Sequence, residues 1–197
     1  MPIPITVQKT RAPLTVAVLV GSVRVGSNTA KAAAFIAAEL KSGGRIIVDY
    51  IDPREVDLVV PGRPGQDLIE ARLNEALRER VRIADGVVVV TPEYDGSYSS
   101  ITKILIECLG YPSVLAGKPV TILGVASGRI GAVRAIAHLR SLLFNVGALV
   151  LPTSPSVAQV HQCFDVNGLC IKEDVRLEIQ GAARELETFA SAFRLAP

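Results

Sequence analysis

The sequence predicts an α/β fold, a three-layer sandwich in which a five-stranded parallel sheet of order 2-1-3-4-5 carries helices on both faces. Three observations support this. Short, wholly apolar runs alternate with longer amphipathic or alanine-rich stretches, the pattern of parallel strands covered on both sides. The chain has 197 residues, 49% of them hydrophobic and 20% charged, which suits one domain with a sizeable core. No internal repeat or linker divides it, and right-handed crossovers leave few topologies for such an alternation.

The elements follow in order. Residues 1–13, with Pro2, Pro4 and Pro13, read as an N-terminal arm, either free or packed on a neighbouring subunit; residues 14–197 are the domain. Leu14–Val20 (LTVAVLV) is the first strand. Ser27–Lys41 is a helix in which Ala33, Ala34, Ala37 and Ala38 allow close approach to the sheet, and Gly43-Gly44 stops it. Ile46–Ile51 is the second strand. Residues 52–66 hold three prolines and two glycines and form a long loop, whose Arg54 and Arg63 could cover a site or reach a neighbour. Asp67–Ile83 is a helix, with Asp67 as a possible N-cap. Gly86–Thr91 (GVVVVT) is the third strand, Ser99–Leu109 a helix, and Val120–Val125 the fourth strand. Arg129–Asn145 is a helix, Ala148–Leu151 the fifth strand stopped by Pro152, and Glu173–Phe193 the closing amphipathic helix.

Composition narrows the function. A formal charge of +2, without a block of like charges, argues against nucleic acid. Cys108, Cys163 and Cys170 are scattered and odd in number, which fits a reduced, cytoplasmic setting, with Cys108 in the core. With two histidines and no paired-cysteine spacing, no metal site is expected. The opening residues lack the apolar run of a signal peptide, and no run of about 18 apolar residues predicts membrane insertion.

In sheets of this kind ligands bind beyond the carboxyl ends of the strands, at the switch point between strands 1 and 3. Three loops meet there. Gly21–Thr29 (GSVRVGSNT) joins strand to helix. Ser22, Ser27, Asn28 and Thr29 offer short donors, the helix start offers free N–H groups, and Arg24 adds positive charge. It is neither a Walker A loop nor G-x-G-x-x-G; it reads as a monophosphate cradle or as an ordinary turn capped by Ser27. Thr91–Ser100 (TPEYDGSYSS) is polar and aromatic after four valines. Its amides and Tyr94 could border a flat ring, or its tyrosines could simply pack on neighbours, with Ser99 or Ser100 capping the next helix. Ala126–Ala132 (ASGRIGA) has two glycines that permit close backbone approach, or merely a turn into a helix.

The segments GSVRVGSN, TPEYDGSYSSITK and SGRIGAVRAIAHLRSLLFNVGALVLP, in this order, resemble the NAD(P)H-dependent FMN reductase family, a flavodoxin-like group that includes quinone, azo-dye and chromate reductases. The resemblance implies that Ser22, Arg24, Ser27 and Asn28 or Thr29 hold the FMN phosphate. It implies that Pro92, Glu93, Tyr94, Asp95 and Gly96 line the isoalloxazine and ribityl group, and that Ser127, Gly128 and Gly131 flank the ring. Asp95 stands where many members have Asn. Arg24, and Arg129 as a second candidate, could also meet the phosphate of NADPH. Tyr98 and the helix from Ser99 resemble the family's dimer surface, so a homodimer or homotetramer is expected. His138 and Arg140 serve packing and surface.

The chemistry so implied is hydride transfer from NADPH or NADH to FMN and on to a small electron acceptor: free flavin, a quinone, an azo compound or a metal oxyanion. The cofactor supplies that chemistry, so no catalytic acid, base or metal ligand is assigned. A flavodoxin-type electron carrier is the alternative. Such carriers are usually acidic and sandwich the ring between aromatics, whereas this chain is slightly basic and has no Trp. A phosphate-binding module without flavin is the other.

Overall fold

The computed structural model describes residues 12–60 and 67–194, with the backbone alone for 67–71. Arg63, the side chain of the possible cap Asp67 and all of the expected arm but Ala12 and Pro13 lie outside the described residues.

Strand β1 (Leu14–Val20) leads through helix α1 (Asn28–Ser42) to β2 (Ile46–Ile51), and α2 (Asp67–Arg82) returns to β3 (Gly86–Tyr94). Then come β4 (Ser97–Tyr98), α3 (Ser100–Cys108), β5 (Pro119–Val125), α4 (Val133–Asn145), β6 (Leu149–Val150), β7 (Ser156–Val157), a single 3-10 turn at Val160–Gln162, and α5 (Glu173–Phe193). The backbone of the sheet is β2-β1-β3-β5-β6, all parallel. This is the expected 2-1-3-4-5 order.

Alternation along the strands builds two cores. Val16, Val18, Val20, Val88 and Val90 face α1 and α5. Ala17, Leu19, Val87 and Val89 face α2, α3 and α4. Each such valine removed from water contributes about 1.5–3 kcal/mol. On α1 the residues against the sheet are Ala32, Ala33 and Ala37. Ala34 and Ala38 are exposed, because they sit on the helix face opposite Ile36 and Leu40.

Four differences from the sequence reading bear on the site. First, the sheet has seven strands among the described residues instead of five. Second, β3 runs on to Tyr94 and turns back at Asp95-Gly96 into β4, pairing Glu93 with Tyr98 and Tyr94 with Ser97. Both turn residues have positive φ (49° and 73°), the geometry of a tight hairpin. Third, α4 begins at Val133, not Arg129, because Gly131 at φ 80° breaks the helical path. Fourth, the fifth strand is split. β6 pairs with Pro119 and Val120, and β7 pairs with Gly124 and Val125. Pro152 ends the first piece, and the excursion is pinned by Arg140 Nη2 donating to Ser154 Oγ (2.7 Å) and by Thr153 N donating to Glu185 Oε2 (3.0 Å).

Candidate functional site

The carboxyl ends of β1, β3 and β5 frame a cleft of about 250 Å³. Arg24, Ser27, Asn28 and Thr29 line it from the first loop, Pro92, Glu93 and Tyr94 from the second, and Ser127 from the third. Val25 and Gly26, Val125 and Ala126, and Val160 complete the wall. Val160 was not singled out from sequence, since only the split of the fifth strand carries the 3-10 turn to this edge.

The first loop is folded by its own small side chains. Ser22, 4% exposed, accepts from the Arg24 amide (3.3 Å), and Ser27 N donates to Arg24 O (3.2 Å). Ser27 caps α1 by accepting from Ala30 N at 3.0 Å. The amides of Asn28 and Thr29 have no backbone acceptor among the described residues, as at any helix start. Arg24 is exposed, with its guanidinium carbon 4.9 Å from the centre of the Tyr94 ring. That contact joins the first loop to the second and leaves the Arg24 charge without a carboxylate partner among the described ion pairs.

Below these loops lies a buried chain of hydroxyls. Ser99 Oγ donates to Gly21 O (2.6 Å) and accepts from Thr102 N (3.1 Å), capping α3. Thr102 Oγ1 donates to Thr91 Oγ1 (2.9 Å), which donates to Pro92 O (3.1 Å). The base of the first loop is thereby fixed to the start of the second.

Not all of the residues singled out from sequence reach the cleft. Ser22 is buried and outside the lining. Asp95 and Gly96 form the hairpin turn. Gly128 lies outside the lining, and its carbonyl accepts from Gln159 N (3.0 Å). Gly131 packs on β7: a Cβ there would come 2.6 Å from Ser156 Oγ, the acceptor of Ala132 N. Arg129 is exposed and outside the lining. Arg54 is held by Asp52, whose carboxylate accepts from Arg54 N, Nε and Nη2 at 2.9, 3.0 and 2.5 Å. Those side-chain hydrogen bonds hold the Asp52 carboxyl below the usual carboxylate range. No group of three or more His, Cys, Asp or Glu able to hold a metal occurs among the described residues.

The fit to FMN can be judged on these features. Open amides at a helix start beside an arginine that has no carboxylate partner among the described residues suit a phosphate monoester. The strand-end residues Pro92–Tyr94 and Ala126–Ser127, with Val125 and Val160 in the same wall, suit a flat heterocycle. The residues present therefore fit the group.

Comparison with known proteins agrees. A family model described as NADPH-dependent FMN reductase matches residues 14–162. The chain is 36% identical over 118 residues to an NADH:(hydroxy)cinnamate reductase subunit of Vibrio ruber, a match covering 58% of each chain, so it spans under two thirds of that relative. It is 30% identical to a 2-hydroxy-1,4-benzoquinone reductase of a Burkholderia species, over 85% of this chain and 91% of that one. Among solved structures, the flavoenzyme NAD(P)H:(acceptor) oxidoreductase of Paracoccus denitrificans superposes with a TM-score of 0.76 at 25% identity, covering 91% of this chain and 98% of that one.

Proposed function

The chain belongs to the NADPH-dependent FMN reductase family, and on that premise we propose that it is an oxidoreductase that binds FMN in the strand-end cleft and moves a hydride from NADPH or NADH through it to a small acceptor. The observation that carries this reading is the convergence of three strand-end loops on one cleft that pairs an open helix start and Arg24 with Pro92, Tyr94 and Ser127.

Arg24, Ser27, Asn28 and Thr29 would hold the phosphate. Pro92, Tyr94 and Ser127 would border the ring. Ser22, Gly21, Asp95, Gly96 and Gly131 act one layer out, by shaping those loops. Bound FMN supplies two-electron redox chemistry; the chain supplies binding, orientation and shielding from water. A quinone, an azo compound or a free flavin are the acceptors that the relatives' names favour.

A homodimer or homotetramer on the Tyr98–Cys108 face belongs to the same reading; Tyr111, 87% exposed beside that helix, supports it. A cytoplasmic setting is supported by cysteines that are scattered along the sequence and odd in number. Among the described residues, no helix is long and apolar enough to cross a membrane.

The test is a fluorescence titration with FMN, followed by steady-state NADPH and NADH oxidation with a panel of acceptors. Tight binding with turnover supports the proposal. Binding without turnover with any acceptor favours an electron carrier, and absence of binding at micromolar FMN rejects the site.

A further inference from the structure

Glu93 lines the cleft, yet its carboxylate is spent elsewhere. The side chain is 8% exposed. Its Oε2 accepts from the backbone N–H groups of Arg134 (3.1 Å) and Ala135 (3.0 Å), and Oε1 accepts from Arg134 Nε (3.2 Å). These amides open α4, whose N-cap position is Ala132, with no side-chain acceptor. A helix lacking its own cap thus takes one from the end of β3, and a carboxylate suits its positive end.

Two more ties join the same pieces. The Gly96 turn lies on Arg134, where an added Cβ would sit 3.6 Å from Nε, and His138 Nδ1 is 3.1 Å from Ser97 Oγ. The hairpin wall of the cleft is therefore fastened to the helix into which the opposite wall, Ala126–Ser127, leads.

We propose that Glu93 is a positioning residue of the flavin site: by capping α4 from the end of β3, it sets the spacing between the Pro92–Tyr94 and Ala126–Ser127 walls. This rests on the FMN reading above. The role belongs to hydrogen bonds and reach. Glu93→Gln keeps a carbonyl oxygen where Oε2 stands, and so both amide bonds, and gives up only the bond from the exposed Arg134 Nε, because its amide nitrogen donates. Glu93→Asp keeps the charge but is one methylene too short, and Glu93→Ala loses everything.

The experiment measures FMN dissociation by fluorescence, the visible circular dichroism of bound FMN and the melting temperature of the flavin-free protein. Arg194→Ala is the control; Arg194 pairs with Asp85 (3.1 Å) at the other end of the sheet. We expect Glu93→Ala and Glu93→Asp to weaken FMN binding by about tenfold and change the dichroism. Glu93→Gln should stay within about threefold of wild type. Arg194→Ala should lower the melting temperature and leave affinity unchanged. Wild-type affinity and dichroism in Glu93→Asp, with only the melting temperature lowered, overturn the proposal and leave a helix cap. Equal losses in Glu93→Gln and Glu93→Asp also overturn it, in favour of charge. Should Glu93→Ala not fold, Glu93→Asp decides. If wild-type protein binds no FMN, the flavin reading falls, and the clamp is judged on flavin-free hydrogen exchange at Arg134, Ala135 and Tyr94–Ser97: faster exchange in Glu93→Asp supports it, and unchanged exchange overturns it.

Discussion

Thr102 Oγ1 lies 2.1 Å from the point where a Cβ on Gly21 would stand, and the Val90 carbonyl oxygen lies 2.7 Å from it. Gly21 is needed for this close approach; positive φ is not the reason, since its backbone is not in the left-handed region. Gly21→Ala should destabilise the protein by about 1–3 kcal/mol, the cost of overpacking a filled site. Adding Thr102→Ala should recover part of that loss. A double-mutant cycle by urea denaturation checks it, and strictly additive effects would refute the contact.

Among the described residues Arg24 is held over the Tyr94 ring and not by a carboxylate, which leaves its charge available to an anion. Arg24→Ala should weaken FMN binding by about 10- to 100-fold, the scale of a lost charge-assisted hydrogen bond or two, and leave riboflavin binding unchanged. Parallel titrations with the two flavins measure this. An equal loss for riboflavin would mean that Arg24 supports the ring or the loop instead of the phosphate.

Asp52, 3% exposed, has its carboxyl pulled below the usual range by hydrogen bonds from Arg54. A depressed native pKa contributes stability that is present above the unfolded value of about 3.9 and is lost as pH falls from there through the native value. Wild-type protein should therefore lose urea resistance below about pH 4, and Asp52→Asn should lose less over the same window. Parallel pH profiles for the two proteins would contradict this account.

Asp95 occupies the hairpin turn at φ 49°. What this position asks for is tolerance of the left-handed region, which Asn and Asp share. Asp95→Asn should leave the melting temperature nearly unchanged, whereas Asp95→Val should cost about 1–2 kcal/mol. Thermal denaturation of both variants decides the point; a stable Asp95→Val would show that the turn relaxes.

The three-layer fold was legible because four of the five expected strands are mainly apolar runs without a charged residue, and a run such as GVVVVT has few other uses. The cradle was legible because helix starts and glycines announce themselves locally. What stayed hidden depends on distance along the chain. Nothing near Glu93 marks it as the cap of a helix 41 residues on. Nothing near Gly131 reveals that its missing Cβ makes room for Ser156. The split after Leu151 was half visible, since Pro152 announced an end but not that Ser156 and Val157 would rejoin the same neighbour four residues higher.

That split has a bearing on how the protein behaves in a crowded solution. An outermost strand with a long row of unpaired N–H and C=O groups is a template on which a second chain can add. Here the outer pieces beside β5 are two residues each and are separated by a detour holding Pro152 and Pro155. On the opposite margin, Asp49 sits mid-strand in β2 with its carboxylate bound to Arg80 at 2.6 Å. Strand-to-strand aggregation of folded molecules is thus discouraged at both margins, by interruption on one side and by charge on the other.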